Sequence, residues 1–155
     1  QEEFIDNLTI GRGKPLLLAV KPGGRGNVTH THVVWEFNKG IPEVPSPILL
    51  ENFIYMISNG GVLTCVGTEK GKMIYRKRIG GLGQYVASPV VAGKNLILIS
   101  EEGLVSVVRT GKDFELLGQL HLKEKIRVTP ALGINNLYLR TESHLWAFGK
   151  MSKRP

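Results

Sequence analysis

Apolar residues run along this chain in short, dense stretches separated by turn-forming residues. Pro89–Ala92, Leu96–Ser100, Leu104–Arg109 and Phe114–Leu120 carry a β-branched and aliphatic bias, and Gly93-Lys94-Asn95, Glu101-Glu102-Gly103 and Thr110-Gly111-Lys112-Asp113 interrupt them. Runs of this length and composition read as antiparallel strands, with the glycines supplying the positive φ that tight hairpins need. No window of eleven or more residues shows the apolar period of an amphipathic helix, so the expected helix content is close to nil. The longest apolar run, Leu16–Val20, is strand-sized and far below the roughly 20 residues of a membrane-spanning helix.

The runs repeat. Ser46-Pro47, Ser88-Pro89 and Thr129-Pro130 recur at spacings of 42 and 41, and about twenty positions after each align without a gap. Phe53–Ile57, Asn95–Ile99 and Asn136–Arg140 coincide in that alignment, followed in register by Ser58, Ser100 and Thr141. Upstream, Leu16–Val20 matches Val62–Val66 and His32–Phe37 matches Lys72–Lys77, as third and fourth strands of an earlier unit. Four short strands in a period of about 42 residues describe a propeller blade better than a β-sandwich with irregular turns. The predicted fold is therefore all-β: a partial β-propeller of four-stranded antiparallel blades, with about three blades' worth of strands. Its expected organisation is a half blade at 14–45, blades at 46–87 and 88–128, and a half blade at 129–149. The strand inventory is two, four, four and two, with Phe4–Ile10 as one candidate more.

The Ser-Pro starts, Gly60–Cys65 followed by Thr68–Lys72, and the closing Leu137–Leu145 resemble the carboxy-terminal part of the pyrroloquinoline-quinone-like propellers. That superfamily includes quinoprotein dehydrogenases and outer-membrane assembly lipoproteins. Gly23–Trp35 resembles a long-loop blade of its bacterial branch, and the resemblance spans roughly residues 15–149. It implies a fold more than an activity, because propellers host many functions. It also implies a periplasmic or cell-envelope setting, and a docking motif of Trp and Gly between blades. Trp35 and Tyr75 stand at the docking position, with Leu116 or Leu117 in the next unit. Members usually have about eight blades, more than this length supplies. An open arc leaves end faces bare and edge strands unpaired, which predicts a homo-oligomer through the open propeller ends, the two half blades completing each other. The competing expectation is a piece of a longer chain.

Composition narrows the function classes. With 42% hydrophobic residues, 21% charged and 19 glycines spread along 155 positions, the chain has enough apolar material for a core and is not disordered by composition. The amino terminus, Gln1-Glu2-Glu3-Phe4, lacks the basic and apolar regions of a signal peptide, so an export signal is absent or already removed. The single cysteine, Cys65, excludes an intrachain disulfide and a CxxC zinc site, and it reads as core, at the position of Val107 and Phe148. A net charge of +7 comes mainly from Lys70, Lys72, Arg76, Lys77 and Arg78, then Lys123, Lys125 and Arg127, then Lys150, Lys153 and Arg154. Only Tyr75 is interleaved with the first group, so a stacking platform for nucleic acid is not apparent and a solvated strand edge is preferred.

The candidate chemistry is thin. Thr29-His30-Thr31-His32, read as a strand, would project both histidines from one face, but a third metal ligand is not evident. Gly23-Gly24-Arg25-Gly26 lacks the Lys-Ser/Thr and helix of a phosphate loop and reads as an enlarged hairpin. Loops on rigid scaffolds carry recognition, which makes Arg25, Asn27, His30 and His32 the candidate ligand or partner loop. No G-x-S-x-G elbow occurs, and Glu101, Glu102, Asp113, Glu115, Glu124 and Glu142 fall mainly in turns, so no catalytic, cofactor or metal residue is assigned. The expected function is a non-catalytic binding or assembly module with a protein partner and no cofactor. The alternatives are a quinoprotein-type dehydrogenase fragment needing PQQ and calcium, and a basic-surface nucleic-acid binder.

Overall fold

The computed structural model describes residues 15–149. The first sheet pairs β1 (Leu17–Val20) with β2 (Val33–Phe37), and a single helical turn, α1 (Thr29–His32), leads into β2. The second sheet is a meander of β3 (Ile48–Leu50), β4 (Phe53–Ser58), β5 (Val62–Gly67) and β6 (Met73–Arg78). The third repeats it with β7 (Val90–Ala92), β8 (Asn95–Ile99), β9 (Leu104–Arg109) and β10 (Glu115–His121). The fourth contains β11 (Ala131–Leu132), β12 (Asn136–Arg140) and β13 (Leu145–Gly149). The fold is all-β, built of antiparallel blades in the arrangement of a partial β-propeller. Phe4–Ile10, Lys150, Lys153 and Arg154 lie outside the described residues.

Strand alternation explains why β4 and β8 are apolar at nearly every position. Tyr55 and Ile57 of β4 pack with Leu96 and Leu98 of β8 in one core, while Ile54 and Met56 turn the other way to meet Trp35 and Phe37 of the first sheet. Ile97 and Ile99 of β8 form a third core with Leu137, Leu139 and Trp146 of the fourth sheet. A blade sandwiched between neighbours buries both faces, so its inner strands lose the polar half of the usual alternation. The last sheet has one partner among the described residues, and its alternation returns: Leu139 is buried while Tyr138 and Arg140 face solvent.

The Ser-Pro starts have a structural use. The Ser46 backbone N–H donates to Ser88 Oγ at 2.9 Å, and the Ser88 N–H donates to Thr129 Oγ1 at 3.0 Å. Each unit thus hands its start to the next through one hydroxyl, which is why a small hydroxyl residue recurs there.

Three expectations are corrected by strand register. The fourth sheet has three strands where two were expected, because the gapless stretch after Pro130 covers three strand positions. Its β12–β13 turn is also one residue tighter: Thr141 N bonds to His144 O, whereas Ser100 N bonds to Leu104 O. Tyr138 consequently faces Ala147, as Tyr55 faces Cys65 and Ile97 faces Val107. Ala147, not Phe148, is the counterpart of Cys65. Finally, bulges recur between third and fourth strands at Ala19/Val20, Cys65/Val66 and Leu116/Gly118. With the bulged residue removed, Trp35 and Tyr75 correspond to Gly118 and not to Leu116 or Leu117.

The docking position accordingly fades along the chain. Trp35 Nε1 donates to Thr68 O at 2.8 Å, and its ring lies where a Cβ on Gly71 would be. Tyr75 lies in the core beside Cys65 and meets Phe114 edge-on, ring centroids 5.7 Å apart. A Cβ on Gly118 would meet nothing within 4 Å.

Candidate functional site

The loop singled out in the sequence is exposed, but it is not the strand that would pair its histidines. Asn27 Oδ1 accepts the Thr29 N–H at 3.1 Å, and the Thr31 and His32 N–H groups return to Val28 O, closing one helical turn. Residues two apart on such a turn diverge by about 200°, so His30 and His32 point in different directions and share no ligand position. Thr31 Oγ1 and His32 Nδ1 lie 2.7 Å apart, and the His32 ring covers Gly24. His32 is thus a structural lid on the loop. Arg25 and Asn27 are exposed, with Asn27 occupied in the turn.

A second concentration of polar groups lies where the third sheet hands over to the fourth. The segment Lys125–Val128 leaves the third sheet with Ile126 turned into the core, which sends Lys125 and Arg127 outward. Arg140 stands at the end of β12 on its solvent face, beside Thr141 and Glu142. Lys125, Arg127, Val128, Arg140, Thr141 and Glu142 line an open pocket of about 180 Å³. Glu101 accepts from Arg127 Nε at 2.7 Å and fixes one edge of that guanidinium, leaving Arg140 and Lys125 as exposed cations of the pocket. The pocket is below the roughly 300 Å³ where small-molecule sites begin, so it suits a single side chain or chain terminus.

Beside it, Glu124 gathers the next turn. Its Oε2 accepts from Thr141 Oγ1 and from the Ser143 N–H at 3.2 Å, and its Oε1 takes His144 Nδ1 at 2.6 Å. The Thr141 hydroxyl, followed by Ser143 N–H and His144, holds the Glu124 carboxyl below the usual carboxylate range. Trp146 Nε1 donates to Thr141 Oγ1 at 3.3 Å, tying the group to the core. This network is a clasp between the Lys123–Val128 segment and the β12–β13 turn.

The strongly shifted groups lie elsewhere. Burial pushes the Cys65 thiol up to about 12 and raises Tyr75 beside it further still, while burial raises Tyr85 to about 12. All three sit within one apolar core, where these shifts keep them protonated and inert. Among the described residues, no group of three or more His, Cys, Asp or Glu is placed to hold a metal ion, and no helix is long and apolar enough to cross a membrane.

Sequence periodicity alone does not bring the lining of the basic pocket together. In the sequence, Lys125 and Arg127 read with Lys123 as one basic group on a solvated edge, and Glu124 and Glu142 as turn carboxylates. The available signal was Arg140, which stands where the aligned units have Ile57 and Ile99.

Among solved structures, the chain is similar to BamB from Moraxella catarrhalis, a β-propeller with PQQ-like repeats, at 15% identity and a TM-score of 0.68, over 88% of this chain and 40% of that one. It is also similar to the computationally designed Ika8 protein, at 11% identity and a TM-score of 0.61, over 76% of this chain and 36% of that one. The chain spans about two fifths of the length of each. These likenesses support the propeller fold. No family model and no curated protein sequence matches the chain.

Proposed function

We propose that this chain is a propeller module that binds and assembles with other polypeptides and does not catalyse a reaction. The observation that carries this reading is the pocket at the end of the stack: fixed and exposed cations on a rigid two-sheet junction, too small for a cofactor and open to a side chain from outside. The strongly shifted ionisable groups lie in the core and not in that pocket, which favours recognition over proton transfer. The cell-envelope setting implied by the sequence resemblance is part of the proposal, as is self-association through the end sheets. Val34 on the first sheet and Leu145 on the last are 49% and 74% exposed, and each lies on a face with no neighbouring sheet among the described residues.

Solution mass by sedimentation across a wide concentration range tests self-association. A reversible dimer or larger species is the expected result, and a monomer throughout overturns it. Titration with the quinone and calcium tests the enzyme alternative. Absence of a saturable thermal shift is expected, and a stabilising, saturable response overturns the non-catalytic reading.

A further inference from the structure

The basic pocket is the third of a series of sockets. In each unit the segment entering the next start places one residue, three positions before the small hydroxyl residue, against the preceding blade: Tyr85 before Ser88 and Ile126 before Thr129. The Tyr85 side chain packs with Ile57, and its N–H donates to Asn59 Oδ1 at 2.9 Å. The Ile126 side chain packs with Ala87 and Ile99, and its N–H donates to Glu101 O at 2.9 Å. Arg140 and Glu142 are the repeat counterparts of Ile57 with Asn59 and of Ile99 with Glu101, and Val128 is that of Ala87. They line the pocket. The first two sockets are filled by plugs of this chain, and the third holds no plug from the described residues.

The third socket also differs in chemistry. Its floor is an arginine where the others have isoleucine, and Lys125 and Arg127 form its rim in place of Gln84 and Val86. An apolar plug like Tyr85 or Ile126 would desolvate the exposed Arg140 and Lys125, whereas a carboxylate would pair with them, beside the lining Glu142 and an Arg127 already held by Glu101, in the bidentate geometry a guanidinium favours. One plug position in the chain is acidic: Glu43, three residues before Ser46, in the register of Tyr85 and Ile126, and exposed. We propose that the third socket takes Glu43 from a second copy of this chain. The second copy's β2 then serves as fourth strand to β13, and β13 displaces β1, which holds the same third-strand position and is one residue shorter.

The assignment rests on the self-association reading above, and charge reversal separates the two. Glu43→Arg, Arg140→Glu and the double variant are compared with the parent by sedimentation at low and high salt, with circular dichroism and melting curves as folding controls. Both side chains are exposed, so the variants are expected to fold. Each single reversal should weaken association by at least about tenfold and the double variant should restore most of it, with the parent's association falling as salt rises. Association indifferent to both reversals, or weakened without restoration in the double variant, overturns the socket assignment and leaves self-association standing. A parent chain that stays monomeric overturns both.

Discussion

At the residue scale, the same few side-chain types decide either packing or polarity according to where the strand turns them. Cys65 is enclosed by Tyr55, Tyr75 and Leu63, and its raised pKa leaves almost no thiolate at neutral pH. The folded protein should therefore resist alkylation at pH 8 and react only after denaturation, which mass spectrometry of labelled protein would check. Among the described residues, Trp35 and Gly71 form the one complete docking contact, with Gly71 at φ 61° directly under the indole. Gly71→Ala adds both a left-handed strain and a steric conflict and should cost about 1–3 kcal/mol, while Trp35→Phe, which loses the bond to Thr68 O, should cost about 1 kcal/mol or more; thermal melts would rank them. Glu124 supplies a pH dependence. Because its folded pKa is depressed, its stabilisation is present above the ordinary carboxylate range and fades as pH falls through the folded value. The melting-temperature gap between the parent and Glu124→Gln should close on acidification below about pH 4; a gap that is constant with pH would remove the carboxylate's charge from the account.

At the element scale, the repeat was readable because each blade repeats the same physical needs. Hairpins need turn residues, inner strands need apolar side chains on both faces, and each start needs a hydroxyl to receive the preceding unit's N–H. Ser88→Ala removes the acceptor of Ser46 and should lower stability by about 0.5–1.5 kcal/mol, with Thr129→Val doing the same to Ser88. Equal effects from the two, read in parallel chemical denaturations, would support a shared role. What periodicity missed were shifts of a single residue. The tighter Thr141–His144 turn and the bulge before Gly118 leave composition almost unchanged, yet each reassigns which side chain faces the neighbour. The helical turn at Thr29–His32 departs from the strand expected there for a related reason. One Asn27 side-chain bond and two returns to Val28 O outweigh the β-leaning pattern of the residues that follow.

For the whole molecule, the stacking of sheets governs both stability and function. Three apolar cores alternate with four sheets, and each interior sheet is held from both sides. Among the described residues, the outermost sheets each have one face without a neighbouring sheet, and the plug-and-socket series reaches Arg140 with no plug. If Glu43 of another copy fills it, association should be salt-sensitive and saturable, in contrast to the indiscriminate stickiness of a bare apolar face. The all-β class, the period, the hydroxyl starts and the buried thiol followed from the sequence alone, because strand alternation and turn chemistry act over a few residues. The basic pocket did not, since Lys125, Arg127 and Arg140 come from a linker and a strand, and only the docking of two sheets puts them around one space. Side-chain identity is local, but the sharing of a cavity by distant residues is a property of packing.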